Sequence, residues 1–443
     1  MILMAEESDG SPAKEQKRIS PWLCVFVGIA IVLGIYFRFY QITANRFIFY
    51  DEGMWVLQNH EFVELIERSQ GQPMTVQAKL LNGMFHLSLR TGKALWSFLS
   101  MARGFFTGAE GYAFTRIISA MLGALTVGVT FMFARRFYQS TAAGLLSAAL
   151  LAVLPSHVFY SRIALQEAYS AFFFLVGLYL YLFPRKMSVR TFLASLCFAS
   201  VFFVNYRMII IPFLVGVCEV YLSLADKRRP DLGKWACHTG LFLMLVFGVG
   251  ALDGGANTRV TFGWMFHQSQ LAKGTFSVIN LFSYPYYVLT FEGALFALAF
   301  AANGYFLWKR RWREAFPFIL VITFMAVFSL PQEKGARHLA SALPFMGMAV
   351  AWAICQVGSR RLSGRRGRII LAGVVVAMGG WQVRESYFIS RFDNAYQPAI
   401  EHIREHDPAA KFVSTQSMVQ KLYVADKKDV TEFKYSMAYL VYL

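Results

Sequence analysis

Charge is scarce in this chain: 16% of residues are Asp, Glu, Lys or Arg, against 56% hydrophobic and 16% aromatic, with a mean hydropathy of +0.44. A soluble globular domain carries about 25% charged residues, so the scarcity excludes an ordinary soluble protein. Acids are scarcer than bases, 26 against 43, which leaves a net charge of +17. In a soluble chain that excess would point to nucleic acid. Here the bases cluster between apolar runs, which is the pattern of membrane topology. The five cysteines (Cys24, Cys197, Cys218, Cys237, Cys355) sit mostly inside apolar runs and lack paired spacing, so they predict neither a disulfide framework nor a zinc site. Tandem repeats, low-complexity tracts, a phosphate-binding P-loop and a dinucleotide fingerprint are all missing. A nucleotide-driven enzyme is therefore not indicated.

What the chain does have is a succession of apolar runs long enough to cross a bilayer. They centre on 22–40, 113–134, 141–160, 167–183, 190–205, 207–224, 236–252, 285–307, 315–330, 339–357 and 368–383, about eleven transmembrane helices, the fifth of them short. The fold expected is an all-α polytopic membrane bundle, with residues 1–20 a cytoplasmic tail, 21–390 the membrane domain and 391–443 a small appendage. Lys14, Lys17 and Arg18 precede the first run as in a signal peptide, but the run is long and no cleavage site follows convincingly, so it reads as an uncleaved span. Arg135-Arg136, Arg185-Lys186, Lys227 to Arg229, Lys309 to Arg313 and Arg360 to Arg368 alternate with less basic loops. The positive-inside rule places them in the cytoplasm, with the chain in a plasma or inner membrane and its C-terminus outside.

The first outer loop, 41–112, is not a plain linker. Leu81, Met84 and Phe85, then Leu95, Phe98, Leu99, Ala102, Phe105 and Phe106, recur at helical spacing, with Lys93, Ser97 and Arg103 on the other face. Such helices lie in the membrane interface, and a packed outer cap is compatible with the same pattern. In the appendage, Ala399 to Ile403 reads as a helix, Lys411 to Thr415 as a strand and Val419 to Tyr423 as another short element, a small α/β unit.

Asp51 and Glu52, directly beyond the first apolar run in Phe47-Ile48-Phe49-Tyr50-Asp51-Glu52, stand at the mouth of a membrane span. Acids there are a site hypothesis; the alternative is that they cap the helix that follows. Arg162 and Glu167 flank the outer end of the fourth span, Arg207 opens the sixth, and Lys334, Arg337 and His338 lie between the ninth and tenth. Each has a structural alternative: an ion pair for Arg162 and Glu167, snorkelling for Lys334 and Arg337, a hydrogen-bonded interface residue for His338. Taken together they form a set of carboxylates able to accept a proton and guanidinium groups able to hold a phosphate bidentately.

The order of these features resembles the membrane glycosyltransferases of the C-type fold, in the branch containing the protein O-mannosyltransferases and the bacterial aminoarabinose transferase of lipid A. In that family an aromatic-flanked Asp-Glu pair ends the first span, as Phe49-Tyr50-Asp51-Glu52 does here. Phe106 to Glu110 and Arg116 to Gly123 resemble the family's turn and the start of its second span. Tyr160 to Glu167, followed by Phe172 to Phe174, resembles the start of its fourth. Asn205-Tyr206-Arg207 with Pro212 stands where the family often has a basic residue ahead of Leu-Pro, and Lys334-Gly335-Ala336-Arg337-His338-Leu339 with Pro344 is similar to its Lys-x-x-Arg-Tyr-Leu turn. Two departures stand out: the Pro-Pro-Leu segment of the first loop is absent, and His338 replaces the usual Tyr.

The resemblance implies a polyprenyl-phosphate sugar donor whose glycosyl group passes to an acceptor (lipid, glycan or protein) outside the membrane. It implies Asp51, Glu52 and Glu167 as catalytic residues and Arg162, Arg207, Lys334, Arg337 and His338 as ligands of the donor phosphate. The bond to phosphate carries the energy, so no nucleotide site is required; a divalent metal held through the carboxylates is the minority alternative, since the two acids lack a clear third ligand. The alternative class, a transporter or flippase of a lipid-linked glycan, would be expected to show pseudo-repeats in matching halves, and none are found.

Overall fold

The computed structural model describes residues 21–43, 64–66, 68–89, 93–106, 113–183, 189–252, 254–255, 258–263, 278–330, 335–360, 365–392, 396–414 and 430–432. It is a helical bundle. The first helix, α1 (Pro21–Phe39), shows why an apolar segment settles there: Val27, Ala30, Gly34 and Phe37 are buried in the bundle, while Val25, Ile29, Val32 and Tyr36 face outward. A helix apolar on both faces suits a lipid surround and not water. The chain continues through α2 (Met74–Leu89), α3 (Ala94–Phe106), α4 (Ala113–Tyr138), α5 (Thr141–Ala152), α6 (Pro155–Arg162), α7 (Glu167–Leu182) and α8 (Val189–Val204). After a 3₁₀ segment at Tyr206–Ile210 come α9 (Ile211–Ala225), α10 (Leu232–Ala251), α11 (Val278–Glu292), α12 (Ala294–Trp308) and α13 (Trp312–Phe328). A second 3₁₀ segment, Ala336–Ala342, leads into α14 (Leu343–Arg360) and α15 (Arg365–Arg391).

Among the described residues five helical stretches are long and apolar enough to span a bilayer, or six if the bent pair α5 and α6 counts as one. The expected single span over 141–160 is that pair, turned by 58°. Pro155 causes the break: at the first position of α6 it fits the new helix but cannot donate back to α5. The expected span over 285–307 is likewise two helices, α11 and α12, which meet at Gly293 with φ +53° and ψ −128°, a conformation open to glycine alone. The core between helices is aromatic: Phe133, Phe137, Phe174, Phe198, Phe202, Phe324 and Phe345 are all buried there.

The loop helices pack as a cap. Ile66, Met84, Met101 and Ala102 form a small apolar core of their own. The polar face of α3 is also covered, since Lys93, Trp96 and Ser97 are buried where α3 packs against α4 and α8. Lys93 and Ser97, two of the residues on that polar face, are covered by protein.

The two ends of the bundle differ. At one end Glu219 Oε1 accepts from Arg228 at 2.7 Å and from the Asp231 amide at 3.0 Å, Arg313 donates to Asp226 at 2.9 Å, and Arg136 donates to the Phe183 carbonyl at 3.2 Å. Described members of the basic clusters at 135–136, 227–229 and 309–313 gather here. At the other end lie the C-terminus of α1, the start of α7, both 3₁₀ segments and the start of α3. The appendage holds α16 (Tyr396–His406) and two strands, β1 (Phe412–Ser414) and β2 (Val430–Glu432), paired in parallel with Phe412 opposite Val430. Val419 to Tyr423 lie outside the described residues.

Candidate functional site

Glu167 opens α7 after an irregular turn in which the Leu165 amide donates to the Ile163 carbonyl at 2.8 Å. A carboxylate in a first helical turn is favoured by the helix dipole. This one is also buried, at 2% exposure, as is Lys93 at 8%, which precedes α3. Glu167 lies within electrostatic reach of both Lys93 and Arg207. Among the described residues, two cations thus stand within electrostatic reach of one acid. Burial pulls the Lys93 ammonium below the ordinary lysine value, against the opposing pull of Glu167, and Arg207 adds to the lowering. Neither Gln166 amide atom finds a hydrogen-bonding partner among the described residues, and the same holds for Glu167 Oε2. Trp96 stands edge-on to Tyr169 at 5.1 Å and walls one side.

Arg207 is set by the 3₁₀ turn: Asn205 caps it by accepting from the Arg207 amide at 3.3 Å, and the guanidinium lies 5.5 Å from the Tyr206 ring. The second 3₁₀ segment packs against α7 and brings Arg337 and His338 to this end. Tyr284 Oη and His338 Nδ1 are hydrogen-bonded at 2.8 Å, and Arg207 lies within electrostatic reach of Tyr284. Tyr160 lies within electrostatic reach of Glu167, Glu292 and Tyr284.

Of the predicted site residues, the structure gathers Glu167, Arg207 and His338 around this end, with Arg337 beside them. Asp51, Glu52 and Lys334 lie outside the described residues. Arg162 has a different occupation: its guanidinium donates to the carbonyls of Phe37 and Arg38, and to that of Ser390 at 2.9 Å. It ties α1, α6 and α15 together, and its fork does not stand open for a phosphate.

Four residues escaped the sequence reading. Lys93 was placed on the polar face of a loop helix and not in the site. Arg38 is 1% exposed and donates to the carbonyls of Gly34 at 2.7 Å, Ala152 at 2.6 Å and Leu151 at 3.3 Å, closing the end of α5 at the break. It also contacts His157 Nδ1 at 2.6 Å. Glu292 is 1% exposed and caps the start of α6, its Oε1 accepting from the Ser156 amide at 3.0 Å. An ionisable residue within an apolar run was the available signal for Arg38 and Glu292.

Comparison with known proteins bears on the fold. Residues 28–246 match the model of the dolichyl-phosphate-mannose-protein mannosyltransferase family. Among solved structures, ArnT from Cupriavidus metallidurans bound to undecaprenyl phosphate is similar over 92% of this chain and 86% of its own, with TM-score 0.58 and 14% identity. The same protein in the apo state gives TM-score 0.59 over the same coverage. The archaeal oligosaccharyltransferase AglB from Archaeoglobus fulgidus, in complex with an inhibitory peptide and a dolichol-phosphate, is similar at TM-score 0.56 and 14% identity, over 94% of this chain and 61% of AglB. Comparison with curated protein sequences finds no match. The chain therefore has the fold of the C-type membrane glycosyltransferases. Within that class its family-model match is to the mannosyltransferases that use dolichyl phosphate mannose.

Proposed function

We propose that this chain is a membrane glycosyltransferase that moves a sugar from a polyprenyl-phosphate donor to an acceptor on the extracytoplasmic face. The observation that carries the reading is the placement of Lys93, Glu167 and Arg207 together at the bundle end opposite the basic clusters. A positive-inside orientation then puts the cluster outside, at the depth of a lipid phosphate. Arg207, Arg337 and Lys93 take the donor phosphate, and Lys334, three residues before Arg337 in the sequence, is assigned to it with them. Fixed cations there stabilise the negative charge that grows on the phosphate as the glycosyl bond breaks. Asp51 accepts the acceptor's proton or orients its hydroxyl, while Glu52 and Glu167 support the acceptor and the developing oxocarbenium charge. Arg162 acts as a brace for the three helices it joins.

Family-model match and fold similarity both support this class, and the relatives' printed ligands, undecaprenyl phosphate and dolichol-phosphate, support the donor chemistry. Mass spectrometry of lipids that co-purify with the chain tests it: polyprenyl phosphate or its glycosylated form is expected in the parent and depleted in Arg207→Ala. Equal amounts in both would remove the phosphate assignment.

A further inference from the structure

The helix of the appendage carries a feature that the transferase reading leaves unused. His402, Glu405 and His406 all project from the exposed face of α16, and one ligand atom from each lies within 4.8 Å of the other two. The opposite face buries Ile400, at 4% exposure, so the polar trio is turned outward by the amphipathic pattern of the helix. The two imidazole rings, one turn apart, have centroids 4.5 Å apart. His406 Nδ1 donates to the His402 carbonyl at 2.8 Å. That bond fixes the ring and leaves Nε2 as the lone pair pointing outward, the arrangement by which a backbone carbonyl orients a metal-binding histidine.

We infer that His402, Glu405 and His406 form a binding site for a borderline transition-metal cation such as zinc, separate from the transferase site. Two imidazole nitrogens and one carboxylate suit zinc, nickel or copper, and are a poor match for magnesium or calcium, which prefer all-oxygen shells. Small rotamer changes bring the three atoms to about 2.1 Å from a common centre, with water completing the shell. The carboxylate offsets part of the cation's charge.

The test is calorimetric titration of the full-length chain, purified without a polyhistidine tag, with zinc chloride. The parent is expected to take up one zinc more than a His402→Gln/His406→Gln variant, and either single change should weaken that event at least about tenfold. Glutamine keeps helix propensity, and α16 is exposed at both positions, so folding should persist. Glu405→Gln should weaken uptake, while the neighbouring Glu401→Gln should leave it unchanged. An excess of magnesium should not displace the zinc. Equal stoichiometry and affinity in parent and double variant would overturn the inference, as would uptake that magnesium abolishes.

Discussion

The Arg38 guanidinium donates to His157 Nδ1 at 2.6 Å across the break between α5 and α6. A guanidinium cannot accept, so Nδ1 must, and the His157 ring is neutral with its proton on Nε2. The same arginine closes the carbonyls of Leu151 and Ala152. Gly34 permits this contact, since a side chain there would overlap Ala152. The broken span is thus held at its bend by one side chain from the first helix.

Arg38→Met should therefore destabilise the fold. It leaves buried acceptors open, each worth about 1–3 kcal/mol, so the thermal unfolding midpoint in detergent should fall markedly. Arg38→Lys should recover only part of the loss, because an ammonium lacks the planar fork. An unchanged midpoint in Arg38→Met would show that the bend does not depend on Arg38.

Lys93 gives a pH signature. Its ammonium is held below the ordinary lysine value by burial, so it is cationic at low pH and loses its proton earlier than a free lysine as pH rises. Affinity for polyprenyl phosphate should fall over a window that begins below the usual lysine pKa of about 10.4. Lys93→Arg should flatten that limb, since a guanidinium keeps its charge there. The same limb in both proteins would assign the titration to another group.

Replacing Arg207 or Arg337 by Lys retains charge but not bidentate geometry. Binding of polyprenyl phosphate should weaken in both variants while thermal stability stays near that of the parent. Parent-like lipid binding by Arg337→Ala would remove that residue from the phosphate site.

Orientation is checked by single cysteines in intact cells. One at Gln70 should react with a membrane-impermeant thiol reagent, and one at Arg310 should not. Reversed labelling would put the Lys93 cluster on the cytoplasmic side.

Much of the fold was legible because membrane helices need long apolar runs, and those runs are visible at α1, α4, α9 and α10. The breaks were less so. Apolar residues continue through 141–160, and although Pro155 marks the place, only the packing of Arg38 and Glu292 shows that two helices meet there. Glu167, Arg207 and His338 were legible as charged or polar residues at span ends. Lys93 was not, because periodicity assigns a residue to a face and does not say what covers that face; here α8 and α4 cover it. Arg162 shows the converse, a charged residue at the right end of a span whose partners are backbone carbonyls.

The central claim is sugar transfer from a lipid phosphate, and it is tested most directly in membranes supplied with polyprenyl phosphate bearing a labelled sugar. The account predicts transfer of label to an acceptor and release of the lipid phosphate, both lost in Asp51→Asn with donor binding retained. Glu52→Gln should cost less, about 10²-fold or below. Movement of intact lipid-linked sugar across the membrane without release of lipid phosphate would contradict it and make the chain a transporter.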